Sequence, residues 1–276
     1  MQAARHRREA VDEVERMTTI RILRQGQVIA SASGERAASL LYRGAYQPGD
    51  EIRFEAGYSR ACVTVDQAVA PARVYIENGG FTYRIPISGD NALVYAPGAF
   101  TGDMHLIDIR PDELNSYRNM AANPADQRGE TSAYPHATAN VETRGESVFA
   151  ARNVIDGLHI ANGHGAWPYG SWGIGERTDA ELTLDFGREV EVNTMVLWLR
   201  ADFPHDAYWT SGAVTLSDGT RIDFTLSGID GPQRVELGRH TIRSLKLHSL
   251  VKCDMPSAFP ALRQLEVFGR DVRTDS

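Results

Sequence analysis

Apolar and polar residues alternate in short runs along most of this chain, and a period of two points to half-buried strands rather than helices. Between Thr18 and about Arg110 the runs are Ile20 to Leu23, Gln27 to Ala30, Glu51 to Ala56, Ala61 to Val65, Ala72 to Glu77, Phe81 to Pro86, Ala92 to Tyr95 and His105 to Ile109. Pro48-Gly49-Asp50, Asn78-Gly79-Gly80, Ser88-Gly89-Asp90 and Pro97-Gly98 punctuate them. Gly, Pro, Asn and Asp are the residues that tight turns select. Short strands at roughly ten-residue spacing predict an antiparallel sandwich. Val74-Tyr75-Ile76 and Phe81-Thr82-Tyr83, on either side of Asn78-Gly79-Gly80, read as a hairpin.

Periodicity is lost over residues 111 to 135, where Pro, Asn, Asp and Gly dominate, and the domain boundary is placed there, near Asn115. A chain of 276 residues accommodates two such domains. The organisation read from the pattern is a polar helix or tail over 1–17, an N-terminal β-sandwich over 18–112, a linker over 113–130 and a second β domain over 131–271. In that second half, strands are expected at Val190 to Arg200, Ala213 to Leu216, Arg221 to Leu226, Gln233 to Leu237, Ser244 to His248 and Arg263 to Phe268. Met195-Val196-Leu197-Trp198-Leu199 is unbroken apolar, as in a central strand covered on both faces. Trp198 is accordingly read as core.

Thirty-six acidic residues against 29 basic ones leave a formal charge of -7. That argues against nonspecific nucleic-acid binding, which needs a basic face. No run approaches the roughly eighteen apolar residues of a membrane span. The N-terminus MQAARHRREAVDEVERM lacks the apolar core of a signal peptide, so the chain as written is expected to be cytoplasmic, or else a fragment whose leader has been removed. Cys62 and Cys253 lie far apart, outside any metal-binding spacing, and are read as buried free thiols.

The stretch from Ala150 to Phe186 is the most distinctive. Asn153-Val154-Ile155-Asp156-Gly157 precedes a loop dense in Gly, His and aromatics, which ends in the alternating strand Leu182, Leu184, Phe186. Three loops of the second half are too rich in functional side chains to be plain connections: 162–173, 200–209 and 248–260. Sugar recognition needs an aromatic face for the C–H side of the ring and polar groups for the hydroxyls. Trp167, Trp172, Tyr208 and Trp209 could supply the face; His164, Arg200, Asp202, His205 and Asp206 could supply the in-plane bonds. The arginine fork also suits the carboxylate of an acidic sugar. The bland alternatives are that the tryptophans pack beneath the loops and that Arg200 pairs with Asp202.

Residues 117 to 269 resemble the discoidin, or coagulation factor 5/8 type C, domain of the galactose-binding-like superfamily. The resemblance rests on the order and spacing of Arg118-Asn119-Met120-Ala121, Ala137-Thr138-Ala139, Ala151 to Gly157, Trp172, Asp185-Phe186-Gly187, Ser217-Asp218-Gly219 and Gln264 to Gly269. It implies an eight-stranded jelly roll that binds ligands in loops at one end; with the N-terminal antiparallel sandwich read from the alternation, the expected fold class is all-β. It also implies a structural calcium held by Asp156, nearby backbone carbonyls and Glu266, although Leu158-His159-Ile160 replaces the oxygen-bearing residues that usually follow the Asp-Gly. The N-terminal half resembles no family.

The leading functional expectation is noncatalytic recognition of a carbohydrate, with an acidic sugar within reach. One alternative is a lyase or glycosidase using the His, Arg and Asp residues of the same loops, with His136 among the candidates for proton transfer. The other is an interaction subunit whose loops meet a protein partner or a second copy of the chain. A zinc site from His159, His164, His205 and Asp206 is the weakest reading, because nothing in the sequence brings them together.

Overall fold

The computed structural model describes residues 17–129, 131–160, 163, 165–201 and 206–272. The polar helix expected over residues 3 to 16 lies outside the described residues. The chain divides into two units. The first runs to Ile87 and takes in Gly98–Glu113 and Thr131–Ala133; the second takes in Ser88–Pro97, Leu114–Glu130 and the chain from Tyr134 onward.

Eight strands form most of the first unit: β1 (Thr18–Arg24), β2 (Gln27–Gly34), β3 (Ala38–Arg43), β4 (Glu51–Glu55), β5 (Arg60–Thr64), β6 (Ala72–Ile76), β7 (Gly80–Arg84) and β8 (Met104–Pro111). One sheet runs β2-β1-β4-β7; the other runs β6-β5-β8-β3, with a two-residue strand at Ala133–Tyr134 beside β6. Alternation is faithful: Ile20 and Ile22, Ile52 and Phe54, and Ile107 and Ile109 all point inward and are fully buried. The expected hairpin is not formed. The strands on either side of Asn78-Gly79-Gly80 belong to different sheets, and β7 pairs with β4, where Phe54 and Phe81 sit opposite each other with ring centroids 4.8 Å apart. A single 3-10 turn at Glu77–Gly79, with Asn78 at φ 58°, carries the chain across. Strand β3 was not anticipated, because Leu41 faces solvent and blurs its alternation.

The second unit adds to that two-residue strand, which is numbered β10, the strands β9 (Arg118–Asn119), β11 (His136–Ala139), β12 (Trp172–Gly173), β13 (Leu182–Arg200), β14 (Trp209–Leu216), β15 (Arg221–Thr225), β16 (Pro232–Lys252) and β17 (Ala261–Asp271). Two long strands serve both layers. Leu182–Asp185 of β13 lie between β11 and the C-terminal half of β16; Val190–Arg200 lie between the N-terminal half of β16 and β17. The register shift between Asp185 and Val190 marks the bend. Leu182, Leu184, Phe186, Val192, Met195 and Leu197 line one continuous core through it. These strands form one continuous antiparallel sheet folded around that core, the all-β architecture that was expected.

Two readings of local sequence need correction. The segment 113–130, read as a linker, belongs to the second unit from Leu114 onward: β9 pairs with β17, and Met120 and Ala121 are buried. Its polar residues hold backbone groups instead of facing water; Asn119 Oδ1, for example, accepts from the N–H groups of Ala121 and Val267. The expected strand Ala92 to Tyr95 is a 3-10 turn over Gly89–Val94, anchored where Asp90 accepts from the Ser147 N–H.

Gly187 sits at the bend of β13 with φ 68°, and a Cβ there would lie 2.4 Å from Tyr134 ring carbons. Both the left-handed backbone and the ring exclude a side chain. Gly187→Ala should therefore cost about 2 kcal/mol or more. Urea unfolding checks this; a variant as stable as the parent would show that the bend tolerates a Cβ.

Candidate functional site

At one end of the second unit, buried polar side chains tie loop backbone to the sheet. Arg263 is almost wholly buried in β17 and donates to the carbonyls of Gly170, Pro168 (2.8 Å) and Leu158 (3.2 Å). Gln264 donates to the Asn153 carbonyl at 2.7 Å and accepts from the Gly157 N–H at 3.0 Å. Asn153 in turn donates to the carbonyls of Ser147 and Ser171. Loop carbonyls turned away from water need such donors, since an unmet buried polar group costs about 1–3 kcal/mol. Arg263 was read only as part of a strand. Two consecutive polar residues inside the apolar run Ala261 to Val267 were its only signal.

On this frame rests a small cavity of about 120 Å³. It opens where Arg200 ends β13, Ala261 begins β17 and Gly173 ends β12, a meeting set by the register Arg200↔Ala261 and Gly173↔Ala261. Phe259 and Pro260 form one wall, and Thr143, Arg144 and Phe149 another. Arg200 is buried and donates to the Phe259 carbonyl at 2.9 Å. The Arg144 guanidinium lies 5.5 Å from the Phe149 ring centroid and is paired at the surface with Glu146. Two guanidiniums and no carboxylate line the cavity. All three loops singled out in the sequence supply a lining residue: Gly173, Arg200 and Phe259. The fourth wall, Thr143–Phe149, was not anticipated, because Thr-Arg-Gly-Glu-Ser reads as an ordinary turn.

The remaining candidates are distributed differently. Trp172 and Trp209, expected as sugar-facing platforms, are core residues here: both are buried, their rings lie 6.0 Å apart, and the Trp172 indole donates to the Val141 carbonyl at 2.8 Å. Short strands β12 and β14 carry them inward, so neither ring face is open to a ligand. Trp167 is 38% exposed, and its backbone N–H is held by the Leu93 carbonyl. Asp206 is half-buried. His164, Asp202 and His205 lie outside the described residues. Trp198, expected in the core, reaches the surface instead. Its indole donates to Glu266 at 2.8 Å, and the His159 ring meets it edge-on at 4.6 Å.

Asp156 and Glu266, which the resemblance marks as calcium ligands, are surrounded by donors. Asp156 Oδ1 accepts from Gln264 Nε2 at 2.6 Å and from the Leu158 N–H at 2.9 Å. Glu266 accepts from Trp198 and lies 3.3 Å from His159 Nε2; these two hydrogen bonds hold its carboxyl below the usual range. Calcium needs six to eight oxygens. Asp156 Oδ1 and both Glu266 oxygens already face N–H donors, which a calcium ion there would have to displace. Burial pushes the Asp156 carboxyl up to about 6, against the opposing pull of Arg152, the Leu158 N–H, Arg263 and Gln264. Its raised value favours folding at acid pH, and that contribution is lost as pH rises to about 6.

His136, a candidate for proton transfer, is buried against Asp126, with Nδ1 2.7 Å from Oδ1. The other Asp126 oxygen accepts from the Ala137 N–H at 3.0 Å. Burial alone would lower the His136 pKa, but the Asp126 hydrogen bond and charge, with the Gly129 carbonyl, raise it above the ordinary 6.5. This pair fastens the 123–129 segment to β11 and does not line the cavity.

No family model and no curated sequence matches the chain. Solved structures match over about half of it. Chitosan-binding module 1 of a chitosanase/glucanase from Paenibacillus sp. IK-5 is 21% identical with a TM-score of 0.39, covering 55% of this chain and 98% of that one. The family 32 carbohydrate-binding module of C. perfringens NanJ, in complex with galactose, is 16% identical with a TM-score of 0.37, covering 48% and 91%. A mutant of the lectin binding domain of Lectinolysin, complexed with Lewis b, is 16% identical with a TM-score of 0.41, covering 58% and 100%.

Two outcomes are expected from this geometry. Arg263→Met, which keeps an apolar stem but strips the donors, should lose about 2–3 kcal/mol in chemical denaturation; an unchanged midpoint would mean that the loop carbonyls find other partners. The His136 contribution is fully present below about pH 6.5 and is lost as pH rises through the raised folded value. Thermal melts from pH 6 to 9 should show that decline in the parent and a flatter profile in Asp126→Asn.

Proposed function

We propose that the second unit recognises carbohydrate, and that its loop-end cavity receives the carboxylate of an acidic sugar. The observation that carries this reading is the convergence of Gly173, Arg200 and Phe259, from three separate loops, on one cavity with two guanidiniums and no carboxylate. In a chain of formal charge -7, a pocket lined only by positive charge is a local exception that favours an anion. At about 120 Å³ the cavity is well below the roughly 300–1,000 Å³ of a site that swallows a whole ligand. It suits one substituent, with the sugar ring resting outside. Phe259, 41% exposed at the rim, supplies the apolar face for that ring. The exposed Arg144–Glu146 pair is cheap to exchange for a ligand carboxylate, since such surface pairs contribute about 0–1 kcal/mol.

Isothermal titration with oligogalacturonate, and with a neutral oligosaccharide of equal length, tests the proposal. The acidic ligand should bind and weaken as salt is raised. Arg200→Gln and Phe259→Ala should each weaken it at least tenfold, about 1.4 kcal/mol. The ligand should be recovered unchanged after long incubation. Newly formed unsaturated or shortened products would replace recognition with catalysis by the same loops. Indifference of acidic-sugar binding to both substitutions would remove the cavity from the site.

A further inference from the structure

The first unit carries a cleft of its own, of about 760 Å³, at the end of its sandwich where loops from both sheets converge. The turn Ala56–Ser59 after β4, the end of β6, the Asn78-Gly79 turn and the Pro111–Glu113 segment after β8 form its walls. Tyr58 and Tyr75 line it and are half-buried. Asn78, held in the left-handed conformation by the 3-10 turn, is exposed at the lip. Arg60 stands directly opposite Tyr75 across β5 and β6.

The charge balance narrows the ligand class. Arg36 and Arg60 line the cleft, and so do Asp112 and Glu113, so the formal lining charge cancels. Both carboxylates are already committed to arginines: Asp112 is gripped by Arg73 through two bonds of 2.7 and 2.8 Å, and Glu113 pairs with Arg36. Carboxylates so neutralised do not form a cation site. Donors and acceptors of both kinds, beside two tyrosine rings, match a neutral polyhydroxylated ligand. The volume leaves room for several sugar rings, unlike the cavity of the second unit.

We infer that this cleft, formed where Tyr58, Tyr75, Asn78 and Asp112 meet at the loop end of the first unit, binds a neutral oligosaccharide. The chain then holds two saccharide sites of different charge preference, one in each unit.

The full chain would be titrated calorimetrically with cellohexaose, xylohexaose, laminarihexaose and mannohexaose. At least one should bind with a dissociation constant below about 1 mM. Tyr75→Ala and Asn78→Gly should weaken that binding at least tenfold; the glycine retains the left-handed turn while removing the amide. Tyr75→Phe should retain most of the affinity, and Phe259→Ala in the second unit should leave it unchanged. Hydrogen exchange on the unmodified chain supplies a readout that no folding defect can confuse: the bound hexasaccharide should protect residues 56–60 and 75–79. Failure of all four sugars to bind overturns the inference, as does protection confined to the second unit. Neither failure bears on oligogalacturonate binding at Arg200, which is read separately through Arg200→Gln.

Discussion

A buried carbonyl needs a donor, and at the loop end of the second unit one guanidinium meets three of them. Arg263 projects from the middle of an apolar strand into the loop backbone and bonds Leu158, Pro168 and Gly170. Burying such a charge is costly unless its donors are met, and here loop carbonyls meet them. Gln264 and Asn153 extend the same logic to Gly157, Ser147 and Ser171. Irregular chain is thereby held to the sheet by polar bonds as well as by its own buried Val154 and Ile155. The placement of Gly173, Arg200 and Phe259 around one cavity follows from this fastening and from the strand register beneath it.

Much of the architecture was legible because alternation is a direct consequence of a two-sided sheet. Ile20, Ile22, Ile52, Phe54, Ile107 and Ile109 announce their inward faces. What failed to show was pairing. The Asn78-Gly79-Gly80 turn looks like a hairpin tip, yet the chain crosses to the other sheet there, and nothing local distinguishes the two outcomes. Composition misled where polar residues serve the backbone: Asn119, Asn123 and Asp126 read as linker but satisfy buried groups. Trp172 and Trp209 misled in the opposite direction, because an aromatic in a loop rich in polar side chains looks like a binding platform until its burial is seen. Arg200 was recognisable as a fork on a rich loop. Arg144 was hidden in a turn, and its role depends on a fold-back that the linear sequence does not display.

The two proposed sites differ in how charge is used. In the second unit Arg144 and Arg200 border a small apolar cavity without carboxylates, which favours one negative substituent. In the first, Arg36 and Arg60 are matched by Asp112 and Glu113 around a much larger opening, which favours many hydroxyls and no net charge. Overall net charge predicts neither; the local arrangement decides what each end of each sandwich can hold.

The bent strands β13 and β16 have a consequence for how the second unit comes apart. Because each runs through both layers, neither layer can detach while the other keeps its ladder. Leu182–Asp185 and Val190–Arg200 are two parts of one strand in one continuous sheet, so their amides are expected to share one protection class, with local opening confined to the loops and the short edge strands. Loss of tertiary structure in this unit is all-or-none, so a loop can vary in sequence without creating a separately melting piece of the fold.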